Sequence, residues 1–108
     1  VKYPFFFFFP QHQLALKQMK KGGNIISFEV KGGLEAGSKF INAIQLCSLS
    51  ANLGDSRSII THPSSTTHSK LSDTEREEVG ISLGMIRLSV GLEHHQDICN
   101  DIKTALDA

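Results

Sequence analysis

The chain has 108 residues, 40% of them hydrophobic and 20% charged, which suffices for one small domain with a packed core. Eleven basic residues balance eleven acidic ones, so the zero net charge gives no electrostatic reason to expect nucleic acid or an anionic membrane as a partner. The longest apolar run, Pro4 to Pro10, is far too short to span a bilayer, and no basic region precedes it as in a signal peptide.

Residues 1–10 form an apolar, Pro-bounded segment. Phe5 to Phe9 carry neither helical nor strand periodicity and would make an exposed sticky patch in water. They bury against a partner or another part of a longer chain, or they are not the natural sequence. A start at Val1 rather than Met fits a piece of something longer. Gln11 to Lys21 reads as a short helix with Leu14, Leu16 and Met19 as its apolar positions, stopped by Gly22-Gly23. Asn24 to Val30 is a strand, with Ile26, Phe28 and Val30 on one side and Ser27 and Glu29 on the other. After a turn at Gly32-Gly33, Leu34 to Leu46 is the clearest amphipathic helix, with Gly37, Phe40, Ile41 and Ile44 on its apolar stripe.

Cys47 to Ala51 is a short strand, Asn52 to Asp55 a turn, and Ser58 to Thr61 a third strand closed by His62-Pro63. Ser64 to Ser69 is a polar loop. Ser72 and Glu75 have capping-box spacing and open a short charged helix that ends near Gly80. Met85 to Gly91 alternates strictly: Ile86, Leu88 and Val90 point into a core, Arg87 and Ser89 away from it. Gln96 to Leu106 is a final helix with Ile98, Cys99, Ile102 and Leu106 as its buried stripe. One sheet of about four strands, covered by helices on one face, packs these elements economically. The opposite face, with Arg87, is left for a partner or ligand.

Chemistry is sparse. His94 and His95 are adjacent and point apart on any regular element, and His62 and His68 have no Cys or carboxylate at ligand spacing, so no metal site is expected. Ser65, His68 and Asp73 can be drawn as a triad, but no nucleophile elbow or oxyanion turn accompanies them. The Gly pairs make no phosphate-binding fingerprint. Cys47 and Cys99 fit buried free thiols in a reducing compartment, hence a cytoplasmic protein. Arg87 is the exception. A guanidinium held on a strand is placed to grip a carboxylate through two parallel hydrogen bonds; the alternative is a solvated or salt-bridged Arg on an open sheet face.

Three blocks carry a resemblance. Asn52-Leu53-Gly54-Asp55 precedes Ile59 to Ser69, with Thr66-Thr67-His68 inside it, and then comes Ile86 to His94, ending in Gly91-Leu92-Glu93-His94. Tyr3-Pro4, Pro10-Gln11-His12 and Phe28 to Gly33 fall upstream in the same order. Together they resemble the C-terminal domain of the cysteine/methionine-metabolism family of pyridoxal-phosphate enzymes, nearest its O-acetylhomoserine sulfhydrylase branch. The resemblance covers the chain except Phe5 to Phe9, where the family has a Gly-Leu-Pro-Ser-His-like run.

The resemblance implies an α/β (α+β) two-layer sandwich: a mostly antiparallel sheet with helices on one face, as in the small domain of aminotransferase-like enzymes. Residues 1–10 are then an interdomain segment and residues 11–108 the C-terminal domain that closes over substrate. It also implies that Arg87 binds the α-carboxylate of an amino acid substrate and that Asn52 helps hold it. Sulfide would replace the acetate of O-acetyl-L-homoserine to give homocysteine, with pyridoxal phosphate as electron sink. The implied partners are the large cofactor domain and the other subunits of a homotetramer. The Schiff-base lysine motif, the phosphate-cup residues and the ring-stacking tyrosine are not in this chain, so pyridoxal phosphate is not expected on it alone and the piece should be inert. A free-standing, non-catalytic α/β binding module is the other reading.

Overall fold

A computed structural model describes residues 1–108. The elements are α1 (His12–Gln18), β1 (Ile25–Glu29), α2 (Gly33–Ala43), β2 (Ser48–Leu49), β3 (Ile59–Thr61), a 3-10 turn (Pro63–Ser65), α3 (Asp73–Glu78), β4 (Met85–Ser89) and α4 (His95–Leu106). They form one four-stranded sheet in the order β1-β4-β3-β2, with β4 antiparallel to both neighbours and β2 parallel to β3.

The alternation of β4 sets the layers. Ile26 faces Leu88 and Phe28 faces Ile86 across the β1–β4 ladder, while Ile60 faces Leu88 from β3. These side chains lie on one side of the sheet. Ile60, Ile86 and Leu88 join Phe40, Cys47, Ile98 and Ala105 in the core, so α2 and α4 cover this side as expected. Each buried Ile or Leu stabilises the fold by about 1.5–3 kcal/mol. A one-residue slip of β4 would put Arg87 into that core, so the register is strongly specified.

The structure revises several boundaries. Helix α2 ends at Ala43 rather than Leu46. The Asp101 carboxylate on α4 accepts hydrogen bonds from the backbone N–H groups of Gln45 (2.8 Å), Leu46 (2.9 Å) and Cys47 (3.0 Å), which turns the chain out of the helix. Gly37 and Phe40 are buried on α2, with Ile41 and Ile44 packed beside the core. On α4 the buried side is Ile98, Ile102 and Ala105, spaced four and three apart; Cys99 and Leu106 are exposed. Of the four expected positions Ile98 and Ile102 face the core, while Cys99 and Leu106 each stand one residue, about 100° of rotation, past a buried one. Hence only Cys47 is a buried thiol.

Helix α1 is shorter than Gln11–Lys21, and it buries Ala15 while Leu14, Leu16 and Met19 stay exposed. Strand β2 is only two residues long, not five. Helix α3 carries the expected capping box: Ser72 Oγ accepts from the Glu75 N–H at 3.2 Å and the Glu75 carboxylate accepts from the Ser72 N–H at 2.8 Å. The Phe run folds as successive turns, with Phe7 and Phe8 exposed, and Lys2 pairs with Ser27 in both main-chain directions at the outer edge of β1. No helix is long and apolar enough to cross a membrane.

Candidate functional site

The second face of the sheet is less open than expected. By register, Ser27 on β1, Met85, Arg87 and Ser89 on β4, and Ile59 and Thr61 on β3 share it. Ile59, Thr61, Met85 and Ser89 are buried and Arg87 is half-buried. Arg87 is thus flanked across the ladder by Ser27 and Thr61, and the residue as a whole is partly withdrawn from water.

Arg87 has no acidic partner. The ion pairs of the chain are Arg57 with Asp55 at 3.0 Å and Arg76 with Asp73. Instead the Arg87 Nη2 donates to the Ala51 carbonyl at 3.0 Å. A guanidinium has five N–H donors in a planar fork, so most remain for a planar anion. The salt-bridged alternative for Arg87 thus falls away. The next residue after Ala51 is Asn52, whose side chain is exposed and whose N–H donates to Ser50 Oγ at 3.2 Å. Arg87 thus reaches, across 36 positions of the chain, the residue that precedes Asn52.

The Ser50–Asn52 segment is held from β3. Thr61 Oγ1 donates to the Ser50 carbonyl, and the Ser50 N–H donates to the Ile60 carbonyl at 3.3 Å. On the far side of the turn, Arg57 holds the Asp55 carboxyl at about 2, well below its usual range. The Glu93 carboxylate accepts from Ser58 N–H (2.8 Å) and from Ser58 Oγ (2.8 Å), while Ser58 Oγ accepts from the Gly91 N–H at 2.9 Å. The backbone bond from Ser58 is the main reason the Glu93 carboxyl is held below its ordinary value. This clamp ties the end of β4 to the start of β3, and its partners lie 35 residues apart, beyond any local pattern. Sequence reasoning missed it, although Glu93 stands inside one of the blocks that carry the resemblance.

The other candidates disperse. Ser65 Oγ lies 2.9 Å from His62 Nδ1, not near His68; His68 Nδ1 pairs with Thr67 at 2.8 Å, and Asp73 pairs with Arg76. His62 is buried, with Nε2 2.6 Å from the Leu83 carbonyl. A carbonyl only accepts, so Nε2 donates to Leu83, while the Ser65 hydroxyl lies beside Nδ1 and donates to the His62 carbonyl at 3.3 Å. His94 caps α4, accepting from the Gln96 N–H at 3.2 Å. No three His, Cys, Asp or Glu side chains converge as metal ligands would.

Comparison with known proteins supplies the wider frame. A family model described as Cys/Met metabolism PLP-dependent enzyme matches residues 1–107. An L-methionine gamma-lyase of Porphyromonas gingivalis is 53% identical over 100 residues, covering 93% of this chain and 25% of that enzyme. O-acetyl-L-homoserine sulfhydrylase 1 of Thermus thermophilus is 47% identical over 107 residues, covering 98% of this chain and 25% of that enzyme. A crystal structure described as an O-acetylhomoserine (thiol)-lyase from Campylobacter jejuni superposes with a TM-score of 0.91 at 41% identity, over 98% of this chain and 25% of that one. The chain thus spans about a quarter of the length of the relatives it matches.

Pyridoxal phosphate, the cofactor in the family's description, is held as an imine on a lysine in a water-excluding pocket. All eight lysines here, from Lys2 to Lys103, are exposed. The residues of this chain do not by themselves fit that group, and what they offer is the guanidinium site.

Proposed function

The chain belongs to the Cys/Met metabolism PLP-dependent enzyme family, and from that premise we propose that it is the C-terminal, substrate-closing domain of an enzyme acting on a γ-substituted amino acid. Residues 11–108 form that domain and residues 1–10 the segment leading into it. Arg87 holds the substrate α-carboxylate, and Asn52 completes the cradle. The observation that carries this reading is the half-buried Arg87, whose guanidinium is free of any carboxylate and gives only one N–H to a protein carbonyl, that of the residue before Asn52. A two-point grip on the carboxylate fixes the rotation of the substrate about its Cα, which is the geometric requirement for removing the Cα proton. The partners of this domain are the large cofactor-binding domain and the other subunits of a homotetramer.

The specific reaction is O-acetylhomoserine sulfhydrylation: sulfide displaces acetate from O-acetyl-L-homoserine and leaves homocysteine. The Thermus thermophilus relative and the Thr66-Thr67-His68 and Gly91-to-His94 blocks support it. A second reading, methionine γ-lyase, is supported by the 53% identity to the Porphyromonas gingivalis enzyme. Both reactions remove a γ-substituent, and both need the same carboxylate grip. The full-length enzyme decides between them: sulfide and O-acetyl-L-homoserine should yield homocysteine and acetate, whereas the lyase would convert L-methionine and water to methanethiol, ammonia and 2-oxobutanoate. In either assay Arg87→Ala should raise KM and lower kcat, for a loss in kcat/KM of about a hundredfold, as expected for a charge-assisted pair. An unchanged kcat/KM would overturn the assignment of Arg87.

A further inference from the structure

We propose that Thr61 is a positioning residue for the α-carboxylate site: its hydroxyl fixes the Ser50–Asn52 segment, whose Ala51 carbonyl orients the Arg87 guanidinium. The proposal rests on the carboxylate reading of Arg87 and Asn52 and deepens it. Thr61 and Arg87 are register partners on β3 and β4, so their side chains rise from neighbouring strands onto the same face. Both reach the same short segment, Thr61 at the Ser50 carbonyl and Arg87 at the Ala51 carbonyl.

That segment has little else to hold it. Strand β2 ends at Leu49, and the bond from the Ser50 N–H to Ile60 is its last main-chain tie to β3. Ala51 to Gly54 are exposed and belong to no regular element. The Asn52 N–H is satisfied within the segment, by Ser50 Oγ, and adds no tie to the sheet. Thr61 is 3% exposed, so its hydroxyl needs a protein partner, and it donates outside its own strand. Without that bond the Ser50 carbonyl loses its side-chain donor and Ala51 is free to shift. Arg87 then loses the contact that turns its fork, and Asn52, the next residue, shifts with Ala51. Thr61 touches no substrate in this account; it acts through the segment.

The test uses the full-length, cofactor-loaded enzyme and two probes, L-alanine and L-alaninamide, which differ in whether the α-carbon carries a negative carboxylate. Binding is followed by the change in cofactor absorbance. Thr61→Val, similar in shape but without a donor, should weaken L-alanine about tenfold, the worth of one hydrogen bond, and L-alaninamide less than twofold. Thr61→Ser should behave like the parent. Should Thr61→Val not fold, Thr61→Cys, with a much weaker donor, carries the same comparison. Equal weakening of both probes, no weakening of either, or a Thr61→Ser variant as poor as Thr61→Val would overturn the proposal. Arg87→Lys is measured in parallel. If it loses discrimination while Thr61→Val keeps it, Thr61 alone is misassigned; if Arg87→Lys also keeps it, the carboxylate site itself is wrong.

Discussion

Adding one methyl group at Gly37 should destabilise the domain by about 2 kcal/mol. A Cβ at this position in α2 would sit 2.7 Å from His62 Nε2 and 3.2 Å from Cδ2 and Cε1 of the same ring. Unstrained contacts between such atoms lie near 3.5 Å, so the ring must retreat by roughly 0.8 Å. It has no slack to do so, because Nε2 donates to the Leu83 carbonyl at 2.6 Å and Nδ1 lies 2.9 Å from Ser65 Oγ. Overpacking of this kind costs about 1–3 kcal/mol, and loss of the bond to Leu83 adds about 1 kcal/mol. The higher helix propensity of Ala returns about 1 kcal/mol. In urea unfolding of the 108-residue chain, Gly37→Ala should lower the midpoint by about 1 M with an unchanged slope. In a His62→Ala background the ring is gone, and the same substitution should become stabilising. A midpoint at or above that of the parent, or additive effects in the double variant, would refute this account.

Two further outcomes follow from titrating groups. Hydrogen bonds from Ser58 hold Glu93 below its ordinary 4.5; at Asp101 burial favours the neutral form, but the three N–H donors of residues 45–47 outweigh it and hold the carboxyl below 3.8. Both carboxyls therefore take up protons first in the unfolded chain, so their stabilisation is present above the ordinary carboxylate range and is lost as pH falls through the lowered values. The urea midpoint should fall steeply below about pH 4.5, and Glu93→Gln should lower the midpoint at neutral pH while flattening the acid limb; a profile flat down to pH 3 would contradict this. Burial, with Asp101 beside it, pushes the Cys47 thiol up to about 12, whereas Cys99 is exposed. Iodoacetamide at pH 8 should alkylate Cys99 and spare Cys47 until the chain unfolds, and equal labelling of the two peptides would count against the packing described for α4 and β2.

The sequence by itself determined whatever depends on a few neighbouring residues. The order of helices and strands, the capping box of Ser72 and Glu75, and the side of β4 on which Arg87 stands follow from backbone periods that any short window displays. The blocks around Asn52, Ile59 to Ser69 and Ile86 to His94 were enough to identify the family. Which residue of α4 is buried was not legible, because Ala105 and Leu106 are both apolar and only the docking angle of the helix chooses between them. The end of α2 was not legible either, because the carboxylate that draws the chain away lies more than 50 residues further on. The same holds at the candidate site. The alternation placed Arg87 off the core, but only the tertiary structure decided that no acid reaches it, that the Ala51 carbonyl does, and that Thr61 and Glu93 hold the surrounding segments. Partners in these contacts are chosen by distance in space, and distance along the chain carries no record of it until the sheet has formed.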